Sequence, residues 1–144
     1  MLRTMRRTFI LIAALGALAF VPSASASPVG LWRAKDGAQI RVATCGKALC
    51  GFAATTHLRI DPETGRPPAD KHNPDPAKRH RPLVGLQILF GMAPSAPGVW
   101  SGELYNDDDG HTYRGKIREL GPRAIRIEGC AGALCGGEEL TRLK

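Results

Sequence analysis

The chain has 144 residues, with 20 lysines and arginines against 13 aspartates and glutamates, a net charge of +7 and four cysteines. Three of the basic residues lie in the first 26, leaving 118 residues at +4. That is enough chain for one core and too weakly basic, with no basic helix, for a nucleic-acid-binding protein.

Arg3, Arg6 and Arg7, the apolar run from Phe9 to Val21 and the sequence Pro22-Ser-Ala-Ser-Ala26 form the three parts of a secretory signal, with cleavage expected after Ala26. The apolar run is shorter than the ~20 residues of a spanning helix, and no later stretch reaches that length. Residues 27–144 are therefore expected as one domain, periplasmic or secreted and without stable membrane insertion.

Beyond the signal, short runs alternate apolar and polar residues between turn formers, which predicts an all-β chain. The first strand, Val29 to Arg33, ends before Lys35-Asp36-Gly37, where Asp-Gly is a hairpin signal. Ala38 to Thr44 follows with Ile40 and Val42 on one face. The third strand carries Phe52, Ala54, Thr56 and Leu58. After a polar segment, Leu83 to Phe90 reads as a strand apolar on both faces, and Ala93-Pro-Ser-Ala-Pro-Gly98 as a connection. Trp100 to Tyr105, Thr112 to Leu120, Ala124 to Glu128 and Glu138 to Leu143 complete the set. Eight sequential strands with hairpin-length loops predict an eight-stranded antiparallel up-and-down barrel, whose interior is filled by side chains or holds one small ligand. A two-sheet sandwich is the competing architecture.

All four cysteines fall in two copies of one pattern, Cys45-Gly-Lys-Ala-Leu-Cys50-Gly51 and Cys130-Ala-Gly-Ala-Leu-Cys135-Gly136. In an oxidising compartment they read as two local disulfides, Cys45 with Cys50 and Cys130 with Cys135. A bridge between the two copies stays open if the second and seventh strands end at one rim. The spacing is not Cys-x-x-Cys, which argues against redox catalysis.

The proline-rich segment 59–82 is too long for an ordinary connection and reads either as a lid or binding loop over one barrel mouth or as a solvated, proline-stiffened connection. Arg79 and Arg81 there could present guanidinium groups to a carboxylate or phosphate.

Gly30-Leu31-Trp32 resembles the Gly-x-Trp motif near the start of lipocalins, and Arg142 sits where they often carry an arginine across that tryptophan. Over the whole exported domain the chain resembles the domain of unknown function 2147 family of small exported bacterial proteins. The resemblance runs through Gly30-Leu-Trp32, the first Cys-x4-Cys, Asp70-Lys-His-Asn-Pro-Asp-Pro76, Arg81-Pro-Leu-Val-Gly-Leu86, Tyr105-Asn106, Asp109-Gly110, Thr112-Tyr113 and Gly129 to Cys135. It implies a lipocalin-like barrel, and no catalytic set comes with it.

The leading functional expectation is a carrier or sensor for a small, partly apolar or anionic molecule, with Trp32, Phe52, Leu86, Ile88, Trp100 and Tyr113 as wall positions from their apolar phase. The alternative is a module that contacts another envelope protein or an anionic surface through segment 59–82. A hydrolase ranks below both, and no enzyme activity, cofactor or metal is expected. Asp107-Asp-Asp109-Gly110 lacks the glutamate a calcium loop needs. His72 and His80 lack a tight zinc spacing. Ser101, Asp109 and His111 have no Gly-x-Ser-x-Gly elbow.

Overall fold

A computed structural model describes residues 26–144; the signal segment expected at 1–26 lies, apart from Ala26, outside the described residues. Eight strands, β1 (Gly30–Arg33), β2 (Gln39–Cys45), β3 (Ala48–Thr55), β4 (Gln87–Ala96), β5 (Val99–Asn106), β6 (His111–Gly121), β7 (Ala124–Ala131) and β8 (Leu134–Arg142), form a closed barrel in sequence order. Every neighbouring pair is antiparallel, and the ring closes between β1 and β8. A sandwich is excluded.

Up-and-down order gives the barrel two distinct ends. The β2–β3, β4–β5 and β6–β7 turns lie at one end. The β1–β2, β5–β6 and β7–β8 turns and the long segment between Thr55 and Gln87 lie at the other. The first end is plugged: Trp32, Leu89, Met92 and Ile117 have no exposed surface, and Val42, Ile125 and Leu140 have 1% each. Trp32 donates its indole N–H to Pro28 O at 2.8 Å. Arg142 stacks over the Trp32 ring at 4.2 Å and donates to the carbonyls of Ser27, Val29 and Pro122, tying segment 27–29 across the end of the barrel.

Closure is incomplete along the strands. β1 has four residues and β8 nine, so only Trp32–Arg142 and Arg33–Thr141 pair across the seam. The mouth-side part of β8, Leu134 to Glu139, is bonded to β7 alone and is exposed throughout.

Several elements depart from the expected boundaries. β3 starts inside the first cysteine pattern and ends at Thr55, because Gly46-Lys47 makes a two-residue turn with Gly46 at φ +66°. β8 likewise starts at Leu134 after the turn Gly132-Ala133. β4 starts at Gln87 rather than Leu83, and it continues through the expected connection 93–98 to Ala96. Gly91 at φ +56° sits where its register with β5 shifts. Pro94 is tolerated there because β3 pairs no further along β4 than Met92, so its missing N–H faces no partner strand.

Each cysteine pair forms its own bridge, with Cα separations of 5.8 Å for Cys45–Cys50 and 4.0 Å for Cys130–Cys135. β2 ends at the plugged end and β7 at the mouth, so the two patterns sit at opposite ends and cannot exchange partners.

Candidate functional site

The mouth-side half of the barrel is hollow. A cavity of about 1030 Å³ lies between the strands and the segment 56–69. Its apolar wall includes Ile40, Leu83, Leu86, Ile88, Leu104 and Ile127, and none of the seven residues of the plug reaches it. Small residues keep the lumen open where strands approach: Ala53 on β3, Gly129 and Ala131 on β7, Gly136 on β8.

The structure distributes the sequence-derived wall candidates unevenly. Leu86, Ile88 and Tyr113 line the cavity. Trp32 belongs to the plug, and Trp100, paired with Ile117, packs half-buried against the same core. Phe52 pairs with exposed Arg41, while Gly51 and Ala53 pair with inward Val42 and Ile40, so Phe52 lies on the outer face. The expected phase of β3 is thus off by one residue. Gly51 takes the inward position because a Cβ there would stand 2.5 Å from the Leu89 side chain.

The long connection is an anchored lid. Its first part, 56–69, crosses the mouth, and Lys71 reaches back to Glu63 at 2.9 Å and Asp61 at 3.8 Å. Its second part folds around Asp70, which is fully buried. Asp70 accepts hydrogen bonds from Tyr105 Oη at 2.6 Å, Asn73 Nδ2 at 2.8 Å and Arg81 Nε at 2.8 Å. Tyr105 lies on the face of β5 opposite to lumen-lining Leu104, so the clamp grips the wall from outside. Burial alone would raise the Asp70 carboxyl; the bonds from Tyr105, Asn73 and Arg81 outweigh it and hold the group below the usual carboxylate range. Burial, with the bond to Asp70, pushes the Tyr105 phenol up.

Around this knot, Asp70 N–H bonds Arg81 O, Ala69 bridges to Pro82, and Asp75 caps the 3₁₀ turn Pro76–Lys78. His72 bonds Asp107 O through Nδ1, and Gly110, at φ +72°, lies so close beneath His72 O that no Cβ fits. Arg79 donates to Asn73 O and Arg81 to Asp70, so both expected anion-binding guanidiniums serve the clamp and neither lines the cavity.

The mouth carries carboxylates. Glu138 pairs with Ile127 and Leu140 with Ile125, which turns the Glu138 side chain to the lumen although solvent reaches it through the open seam. Partial desolvation, then nearby Asp36, pushes its carboxyl up. Half-buried Asp107 is pushed up first by desolvation and then by Asp108 and Asp70.

Other chemistries are poorly provided for. Among the described residues the one group of donors near enough for a metal is Glu128 with Cys130 and Cys135, and that sulfur pair is a disulfide, not two thiolates. His111 pairs with Asn106 and Ser101 with Lys116, which puts Ser101 about 16 Å along the sheet from His111 and Asp109.

Sequence reasoning missed Asp70, Asn73, Tyr105 and Glu138, and weighed Asp107 only as part of a calcium loop. The clamp residues stand inside the stretches that carry the family resemblance, but their convergence needs the tertiary fold. Glu138 was findable, two residues before Leu140 in the same phase.

Comparison with solved structures finds protein HP1028 from Helicobacter pylori, described as belonging to the lipocalin family, with a TM-score of 0.69 and 16% identity over 83% of this chain and 84% of that one. At that identity the likeness shows the fold: an all-β, lipocalin-like barrel. Comparison with curated proteins gives no match. The match to a family described as "Uncharacterized protein conserved in bacteria (DUF2147)" spans residues 30–142, from the first strand to the last, and the chain belongs to that family.

Proposed function

We propose that this protein is an exported, non-catalytic binding protein whose barrel holds one small, partly apolar molecule. The observation that carries the reading is the division of the barrel into a solid plug and a hollow half of about 1030 Å³ roofed by a clamped lid. A volume of that order accommodates a drug-sized molecule, for which pockets of ~300–1,000 Å³ are usual. The two disulfides agree with an oxidising compartment, periplasmic or extracellular.

The test is native mass spectrometry of the protein purified from the exported fraction of its own cell. A stoichiometric adduct, lost on denaturation and identified after release, supports the container. An adduct that persists in a variant with the lumen filled, Gly129→Leu with Ala53→Leu, refutes it by placing the molecule elsewhere.

A further inference from the structure

The charges around the cavity run against the charge of the chain. Six of the 13 acidic residues line it: Asp36, Asp61, Glu63, Asp107, Asp108 and Glu138. Of the 17 lysines and arginines among the described residues only Lys71 does so. Lys71 is already engaged by Glu63 and Asp61, and Asp36 has His57 at 3.8 Å. Asp107, Asp108 and Glu138 have no cationic partner within ion-pair distance among the described residues; Lys35 acts on Glu138 and His72 on Asp107 only from farther off, and the hydrogen bond of His72 goes to the Asp107 carbonyl.

These three carboxylates do not form a solvated cluster on a convex surface. They belong to the wall of the same cavity whose deeper lining is Leu86, Ile88, Leu104 and Ile127. Glu138 projects into the lumen from β8, and Asp107 stands across it on the β5–β6 turn. Carboxylates at the rim of a concave, low-dielectric site focus a negative potential into it and attract cations. The cationic groups that could have welcomed an anion, Arg79 and Arg81, are bonded into the clamp.

From this arrangement we infer that the lumen selects an organic ammonium ion with an apolar body, its charged head between Asp107 and Glu138 and its apolar part against the Leu86–Ile88–Leu104–Ile127 wall. The inference rests on the container reading and adds the charge class of the ligand. An ammonium N–H bonded to a carboxylate is a charge-assisted pair, stronger than its neutral equivalent. The apolar floor supplies affinity, and the rim decides between heads.

The discriminating experiment uses three ten-carbon probes that differ only in the head group. The disulfide-intact 27–144 protein, stripped of bound molecules, is titrated calorimetrically at pH 7 with decylamine, 1-decanol and decanoate. Decylamine is expected to bind about tenfold more tightly than decanol, and decanoate more weakly than both. In the Glu138→Gln/Asp107→Asn variant, checked for native circular dichroism, the advantage of the amine should fall to about threefold or less while decanol affinity holds. Each single variant is measured as well, so a misfolded double variant does not end the test. If decanol or decanoate matches the amine, the container stands and the charge inference falls. If the amine keeps its advantage in the variants, these carboxylates are not its source and the inference falls. If none of the three binds, the container reading falls with it.

Discussion

Replacing Asp70 with asparagine should unlock the lid while leaving the barrel folded. Asparagine keeps the volume, and its carbonyl can take the Tyr105 bond. Its amide nitrogen then occupies the site of Oδ2, which accepts from both Asn73 Nδ2 and Arg81 Nε at 2.8 Å, so donors face a donor. Two charge-assisted bonds are lost at about 1.5 kcal/mol or more each. The Arg81 side chain is 39% exposed and recovers water, which discounts its share. The net cost is about 2–3 kcal/mol, a drop of about 1–2 M in the urea midpoint for a domain of this size. The lid should respond more than the core, with trypsin cutting native protein at Arg59 and Lys71 far faster than in the parent. The sign with pH is set as well. Asp70 titrates below its ordinary 3.8 in the folded protein, so its contribution is complete above that value and is lost as pH falls through the folded one. The gap between parent and variant should therefore narrow in acid. A cost under about 0.5 kcal/mol with unchanged proteolysis, or a gap that widens on acidification, would refute the clamp.

Three further outcomes are expected. Trp32→Ala, which removes a fully buried ring and the platform under Arg142, should cost about 3–5 kcal/mol by chemical denaturation. Gly110→Ala forces a side chain into a left-handed backbone and against His72 O, and should speed amide exchange across 70–82 without moving the exchange of β6 and β7. Glu138→Gln should leave the melting temperature unchanged or higher at pH 7. The Glu138 carboxyl is raised in the folded state, so its charged form opposes folding above the folded value, and any gain should vanish below the ordinary 4.5. A loss of stability at pH 7 would mean that Glu138 serves the fold.

Eight strands in order, their antiparallel hairpins and the local disulfides were legible because alternation, Asp-Gly turns and close cysteine spacing are local signals. β3 was read one residue out of phase because Phe52 is the largest apolar side chain there, whereas the inward position needs the smallest, Gly51, beneath Leu89. β4 was cut short because Pro94 and Pro97 look like loop, and only the end of the β3 pairing at Met92 makes Pro94 admissible. The site was legible in part. Leu86, Ile88 and Tyr113 followed from apolar phase, but the same phase could not tell the plug, with Trp32 and Trp100, from the hollow half, since both are apolar and inward. The basic residues at 78–81 drew attention by composition, while their employment by Asp70, separated from Tyr105 by 35 positions, is a property of the fold.

The seam between β1 and β8 leaves a row of backbone donors and acceptors from Leu134 to Glu139 without a partner strand, in a hairpin whose tip exposes Leu134. Such a row is an invitation for a second chain to add itself edge to edge. Two features guard against this: the consecutive charges Glu138 and Glu139, and the Cys130–Cys135 bridge that joins directly opposed residues and forbids the hairpin from slipping. Reduction of the disulfides would thus matter less for the folded state's free energy than for its company: a reduced molecule keeps most of its core but loses the staple on its stickiest edge, so its first failure should be self-association rather than unfolding.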